Sequence, residues 1–238
     1  MTHLDLFSGI GGFAHAAKWA GLETIYFVEK NEACRKILAD DFPDVPIWSD
    51  VKTFDAKNLK NVFLLTAGFP CQPFSNLGLK KGQYDERWLF GEIIRILGEC
   101  RPAWIILENV ERFSRVPEFE ICRTLLEGIG YRICPRIIPA DSVGAPQIRE
   151  RIWIVGHSDG EIDVPREEIF RTRGTAEKSA GIVDGIRKAW LEDPLESIAG
   201  ILRLPDGFSP RYTNAQLGNA VVPMIPYELI RIILSTYL

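Results

Sequence analysis

Cys71 lies in Gly68-Phe-Pro-Cys-Gln-Pro-Phe-Ser75, between two prolines. Cysteine is most often a small buried apolar residue, but Pro70 and Pro73 fix φ on either side and stiffen the loop. That arrangement presents a thiol better than it packs one. The apolar run Phe63-Leu64-Leu65 just before it reads as a buried strand, so the thiol is expected at the rim of a sheet, where substrates reach it. A cysteine hydrolase would use a histidine base. Of the three histidines, His3 begins a strand-like segment, His15 falls in a helix-like one and His157 closes another strand, so none is evidently placed for that task. Glu108 is the better partner. It ends the apolar run Trp104-Ile-Ile-Leu107, which brings its carboxyl group to the same rim. Partial desolvation there raises its pKa and keeps a proton available near neutral pH. The pair Glu108-Asn109 also suits a plain turn at a strand end.

Asp5-Leu-Phe-Ser-Gly-Ile-Gly-Gly-Phe13 reads as the end of a strand, a glycine-rich turn and the start of a helix. Gly9, Gly11 and Gly12 let backbone approach a ligand at a helix N-terminus, at the carboxyl end of the first strand, where open α/β sheets bind ligands. The spacing is G-x-G-G, so the dinucleotide fingerprint is not met. Glu29 closes the next strand-like run about 20 residues on, where an acid accepts hydrogen bonds from both ribose hydroxyls of a nucleoside. A solvated strand-end glutamate would look the same. Asp50-Val51, after a third short segment, offers a carboxylate and an apolar wall to an adenine. These residues favour an adenosine-containing cofactor without choosing which.

Positioning those groups requires a sheet. The first two-thirds of the chain alternates short β-rich runs with helix-like stretches, as in an α/β fold with a largely parallel sheet. Strands are expected at His3–Phe7, Thr24–Val28, Phe63–Ala67, Trp104–Glu108, Tyr131–Ile138 and Ile152–Gly156. Helices are expected at Gly12–Ala20, Glu32–Asp40, Arg87–Leu97 and Glu118–Gly128, with Gly21 as the glycine that ends the first. Composition changes at His157-Ser158, and the chain stays polar to about Arg203, with a short helix expected at Ile182–Leu191. This stretch reads as an inserted recognition element or as a surface loop. Pro223–Leu238 is expected to be a closing apolar helix started by proline. The expected organisation is a catalytic and cofactor-binding domain over residues 1–157, a short target-recognition segment over 158–203, and a C-terminal segment, 204–238, returning to the first domain.

The chain has 238 residues, 46% hydrophobic and 25% charged, which suits one domain with or without a small appendage. No apolar run approaches the roughly 20 residues that span a bilayer, and the N-terminus lacks the pattern of a signal peptide. A cytoplasmic protein without a membrane partner is expected. Five cysteines without CxxC spacing fit reduced thiols better than disulfides or zinc, and no metal is expected. A net charge of −4 does not advertise nucleic-acid binding, although a basic groove can sit on an acidic protein. The polar segment Ser75–Arg87 suits a mobile lid beside Cys71, and its Lys80-Lys81 suits phosphate contact.

Taken together and in order, Asp5-Leu-Phe-Ser-Gly-Ile-Gly-Gly-Phe, Gly-Phe-Pro-Cys71-Gln-Pro-Phe-Ser, Glu108-Asn-Val, Gln147-Ile-Arg149-Glu-Arg151 and Gln216-Leu-Gly-Asn219-Ala-Val resemble the ordered motifs of the bacterial and phage cytosine-C5 DNA methyltransferases. The resemblance implies a Rossmann-like S-adenosylmethionine-dependent methyltransferase fold, with a mostly parallel sheet and a small inserted target-recognition element, in a compact, phage-like build. It implies transfer of a methyl group from S-adenosylmethionine, leaving S-adenosylhomocysteine, to C5 of a cytosine flipped out of double-stranded DNA. Cys71 would add to C6, Glu108 would bond N3 and the exocyclic amine, and Arg149 and Arg151 would stand near the base and the carboxylate. For the cofactor, it implies Phe7 and Gly9 to Gly12 around the methionine portion, with Asp5 also among the cofactor-binding residues. Glu29 would serve the ribose and Asp50 and Val51 the adenine, with Pro70 near the reacting methyl and Asn219 near the cofactor. DNA contacts are expected from Ser75, Lys80, Lys81, Arg87, Arg171 and Arg173. The last two fall in the variable segment, which is short here. Its arginines fit either guanine readout or a solvated mixed-charge surface. A monomer is expected. A tRNA cytosine methyltransferase and a catalytically silent DNA-binding regulator share this architecture and stand as alternatives.

Overall fold

Hydrophobic periods of two and of three to four residues alternate along the chain and set its elements. They are β1 (Thr2–Leu6), α1 (Gly12–Trp19), β2 (Glu23–Val28), α2 (Glu32–Asp41), β3 (Ile47–Trp48), β4 (Val62–Gly68), α3 (Phe90–Cys100), β5 (Trp104–Val110), α4 (Pro117–Gly128), β6 (Tyr131–Pro139), β7 (Glu150–Ser158) and α5 (Met224–Ser235). The computed structural model describes residues 1–70, 89–143, 149–158, 221–235 and 237. The seven strands form one sheet in the order β3-β2-β1-β4-β5-β7-β6. The first five pair in parallel, and β7 runs antiparallel between β5 and β6. Strand order reverses between β1 and β4, which makes their carboxyl ends the crevice where open α/β sheets take ligands. The glycine turn leaves β1 there, and the Pro-Cys loop leaves β4.

Helices cover both faces, so the central strands are apolar throughout, as parallel strands buried on two sides must be. On β5, Ile105 and Leu107 pack with Ile93, Leu97, Cys122 and Leu126 of α3 and α4. Trp104 and Ile106 pack the other way, with Phe13 and Ala16 of α1 and Leu229, Ile230 and Ile233 of α5. α2 adds Leu38, which packs with Phe42, Phe27 and Ala14.

Several boundaries have readable causes. α1 ends where Ala20 caps it and Gly21 takes φ 80°. Leu22 N–H then donates to Ala17 O at 2.8 Å and Gly21 N–H to Lys18 O at 3.1 Å, the glycine-closed end that satisfies the last carbonyls. α2 starts at Asn31, whose side chain accepts from the amides of Ala33 and Cys34. α3 is displaced from the expected Arg87–Leu97. It begins at Phe90 and runs to Cys100, where Arg101 takes φ 41° ahead of Pro102, a proline that disfavours helical backbone before it. The third short segment before Asp50 is β3, which pairs with β2 through Phe27↔Ile47 and Val28↔Trp48. The expected helix Ile182–Leu191, most of the 158–203 segment and residues 204–220 lie outside the described residues. Among the described residues no helix is long and apolar enough to cross a membrane.

Candidate active site

The rim above β4, β5 and β7 gathers Gly68, Glu108, Arg149 and Arg151. Parallel pairing sets Gly68 beside Glu108, and antiparallel pairing sets Val110 beside Arg151. A Cβ added at Gly68 would meet Glu108 Oε2 at 3.5 Å, Val221 Cγ2 at 3.6 Å and Phe13 Cε2 at 3.7 Å. The carboxyl group of Glu108 thus stands directly over the strand that leads, three residues later, to Cys71. Glu108 is only 8% exposed. Arg151 Nε donates to its Oε1 at 2.9 Å, and Arg151 Nη1 donates to the carbonyl of Glu150 at 2.8 Å. Burial pushes the Glu108 carboxyl above the ordinary glutamate range, against the partial pull of Arg151 and then Arg149. Arg149, itself partly desolvated and repelled by Arg151, is pushed down. A carboxyl group in this setting holds its proton to higher pH than a free glutamate and is fixed in orientation by a guanidinium.

Asn109, part of a Glu108-Asn109 pair that also suits a plain turn, is buried and bridges the two strand ends. Its Nδ2 donates to the carbonyl of Phe69 at 3.2 Å, and its Oδ1 accepts from the amide of Val110 at 2.8 Å. Phe69 in turn stacks edge-on against Phe90 and Phe113, ring centroids 5.4 Å away in each case. The residue preceding Pro70-Cys71 is therefore anchored by a hydrogen bond and by two rings, while Pro70 itself is exposed. The sequence carried a signal for this role, an amide side chain next to the rim glutamate, but not the identity of its acceptor 40 residues away.

The adjoining rim above β1, β2 and β3 gathers the glycine turn, Glu29 and Asp50. Phe7 takes φ 54°, unusual for a bulky side chain, and Gly9 and Gly11 take φ 55° and 89°. A left-handed step at Phe7 is the kind of strain kept where a site requires it. Glu29 Oε2 accepts from the Gly9 amide at 2.8 Å and Oε1 from the Asn31 amide at 2.6 Å. The glutamate therefore clasps the glycine turn to the end of β2, and each oxygen keeps a lone pair for a further donor. At Gly12 an added Cβ would stand 2.8 Å from the carbonyl oxygen of Val221. Only glycine permits that approach, and it lets Val221 touch both rims. Asp50 Oδ1 accepts from the Lys52 amide at 3.0 Å, and Val51 is buried.

Asp5 lies deeper than the rim. It is fully buried, and its Oδ1 accepts from Thr66 Oγ1 at 2.6 Å. Thr66 Oγ1 is also 2.7 Å from His3 Nε2, and His3 Nδ1 is 2.9 Å from Thr24 Oγ1. Asp5 Oδ2 has no hydrogen-bond partner among the described residues. Burial pushes Asp5 up to about 8, an effect reinforced by Glu29 and opposed by the Thr66 hydrogen bond, and burial pushes His3 down to about 3. This buried chain was not legible in the sequence, because Thr66 stands in an apolar run and its partners lie over 60 residues away.

Cys71, Ser75, Lys80, Lys81, Arg87, Arg171, Arg173 and Asn219 lie outside the described residues. Among the described residues Cys34, Cys100 and Cys122 are buried and Cys134 is partly buried, and none of the four forms a disulfide; burial pushes Cys100 up to about 12. Among the described residues no group of three or more His, Cys, Asp or Glu side chains could hold a metal ion.

The chain is 36% identical over 163 residues to the Type II methyltransferase M.DsaV of Dactylococcopsis salina, across 67% of this chain and 46% of that protein. It is 28% identical over 220 residues to the Type II methyltransferase M.CviJI of Paramecium bursaria Chlorella virus IL3A, across 91% of this chain and 59% of that one. Its fold matches the Dnmt2 methyltransferase of S. pombe with a TM-score of 0.71 at 19% identity, across 99% of each chain, a likeness of fold alone. The chain spans about half the length of the curated relatives it matches. Residues 1–194 match the model of the C-5 cytosine-specific DNA methylases, and the chain belongs to that family.

Proposed function

We propose that this chain is a DNA (cytosine-5)-methyltransferase with Cys71 as its covalent nucleophile and Glu108 as its proton-holding partner. The observation that carries this reading is the buried, Arg151-bonded carboxyl group of Glu108 over Gly68. Three residues of chain span at most about 11 Å, so the position of Cys71 in the sequence tethers it to the same rim. Family membership and the names of the Type II relatives support cytosine in DNA as the substrate and a part in DNA modification. The 220-residue likeness to a viral methyltransferase supports a viral or phage-like kinship.

C5 of cytosine is too weak a nucleophile to take a methyl group unaided. The Cys71 thiolate adds to C6 while Glu108 donates to N3 and accepts from the exocyclic amine, so the electron pair displaced from the C5–C6 bond is held at C5. Arg151 holds Glu108 in place, and Arg151 and Arg149 temper its basicity. S-adenosylmethionine, when bound, supplies an electrophilic methyl group to that activated carbon. Loss of the C5 proton then re-forms the double bond and expels Cys71. C6 is inaccessible inside a duplex, so the base must be flipped out, at a cost of a few kcal/mol.

The cofactor's fit rests on the described rim. The turn from Phe7 to Gly12, left-handed at Phe7, Gly9 and Gly11, would let backbone approach a ligand closely, with Asp5 buried beneath as its support. Glu29 is already fixed by two amides and has acceptor capacity left for ribose hydroxyls. Asp50 and Val51 would meet the adenine, and Pro70 and Asn219 would close on the reacting end. Residues 158–203, with Arg171 and Arg173, would read the target, and Ser75, Lys80, Lys81 and Arg87 would close over the DNA.

Incubation with methyl-labelled S-adenosylmethionine and unmethylated genomic DNA, beside a tRNA control, tests the reading. Label is expected in DNA and absent with Cys71→Ser. Label confined to tRNA would reassign the substrate. No label from a folded protein that binds cofactor would favour a silent DNA-binding regulator.

A further inference from the structure

The loop 50–56 that carries Asp50 and Val51 is already anchored by apolar burial, since Val51, Phe54 and Ala56 sit in the cluster with Ile93, Ile96 and Leu97. Such burial is non-directional. Direction comes from Arg95 on α3. Its Nε donates to Glu92 Oε2 at 2.8 Å and its Nη1 to Glu99 Oε1 at 2.8 Å. Nη1 also donates to the carbonyl of Phe54 at 2.9 Å, and Nη2 to the carbonyl of Val51 at 2.8 Å. The second oxygen of Glu99 accepts from the Ala56 amide at 2.9 Å. One planar fork, itself oriented by two carboxylates, thus fixes the loop at two backbone carbonyls, and Glu99 holds a third backbone point. A lysine ammonium cannot reproduce that geometry. The Arg95 side chain is 34% exposed, so its ion pairs contribute little to global stability. Their effect is local.

We propose that Arg95 is a positioning residue for the adenine end of the cofactor pocket, setting through the Val51 and Phe54 carbonyls where Asp50 and Val51 stand. The proposal rests on the reading of Asp50 and Val51 as the adenine-facing pair. α3 also begins at Phe90, whose ring meets Phe69 at 5.4 Å, so the helix that clamps this loop also abuts the residue before Pro70-Cys71.

Calorimetric titration with S-adenosylhomocysteine, and with its inosine analogue in which oxygen replaces the adenine amine, tests the assignment. The proteins compared are wild type, Arg95→Lys, Arg95→Gln and Asp50→Asn, each with a urea midpoint. Wild type is expected to prefer the adenine compound. Loss of the equivalent of one hydrogen bond should weaken that compound about threefold in Arg95→Lys and about tenfold in Arg95→Gln, with the inosine analogue little affected. Arg95→Lys is expected to keep its urea midpoint, and it carries the test should Arg95→Gln fail to fold. A wild-type preference retained in the Arg95 variants, whatever the midpoint, would make Arg95 a staple of the fold only and overturn the proposal. An equal lack of preference in wild type and Asp50→Asn would instead sink the adenine reading itself, and the proposal with it.

Discussion

At the β1–β2 rim the Glu29 carboxylate is held by two backbone amides, whereas at the β4–β5–β7 rim the Glu108 carboxyl is held by burial and a guanidinium. Backbone amides come from a turn of fixed geometry, so Glu29 serves as a rigid acceptor and is suited to binding. Glu108 is desolvated against a cation that only partly offsets its burial, so its proton affinity is tuned, which suits chemistry. The parallel half of the sheet supplies the first arrangement because strand ends and helix starts meet there. The second needs β7, the antiparallel strand, to bring Arg151 across from Val110. The proposed binding and reaction sites thus occupy neighbouring parts of one sheet, joined at Val221, which lies against both Gly12 and Gly68.

Substitutions at the two carboxylates should separate binding from rate. Glu108→Gln keeps the shape and loses the tuned proton. Initial rates of labelled methyl transfer should fall by about 10²–10⁴, the range for a positioned acid or base, with the Kd for S-adenosylhomocysteine unchanged. Weakened cofactor binding in that variant would erase the distinction between the rims. Glu29→Ala should behave oppositely, since hydrogen bonds to a charged group contribute about 1.5–3 kcal/mol. The KM for S-adenosylmethionine should rise roughly 10- to 150-fold for that loss, while kcat at saturation stays within a few-fold.

The junction between the rims is sensitive to volume. Gly12→Ala would force a methyl group against the Val221 carbonyl, at a cost of about 1–3 kcal/mol, read as a lower urea midpoint. An unchanged midpoint would mean that the 221 segment is not seated on the turn.

The smallest effect concerns the buried chain His3–Thr66–Asp5. The neutral Asp5 carboxyl, pushed from 3.8 up to about 8, contributes stability that is full below 3.8 and lost as pH rises toward 8. Neutral His3, pushed from 6.5 down to about 3, contributes stability that is full above 6.5 and lost as pH falls toward 3. The two slopes oppose each other between 3.8 and 6.5, and above 6.5 that of Asp5 remains. Unfolding free energy should therefore fall by about 2 kcal/mol between pH 6.5 and 8, and Asp5→Asn should flatten that fall. The same slope in the variant would show that Asp5 is ionised in the fold.

The local pattern was sufficient for much of this molecule. Short apolar runs and helical apolar spacing located six of the seven strands and most helix bounds within a few residues, because burial on two faces leaves central strands like Trp104–Leu107 little other composition. Gly21 was legible because a left-handed closing residue favours glycine. Glu29 and Glu108 were legible as rim acids because each directly follows or ends a strand whose direction is fixed by its place in the α/β alternation. What the sequence could not state was which distant groups meet them. The insertion of β7 between β5 and β6 puts Arg151 on Glu108. The register of β1 against β4 puts Thr66 between Asp5 and His3, and the packing of α3 brings Arg95 to the carbonyls of Val51 and Phe54. Those pairings depend on strand order and register over tens of residues, and only the tertiary structure decides them, since a chain encodes local preference residue by residue but long-range contact only through the cooperative packing of the whole core.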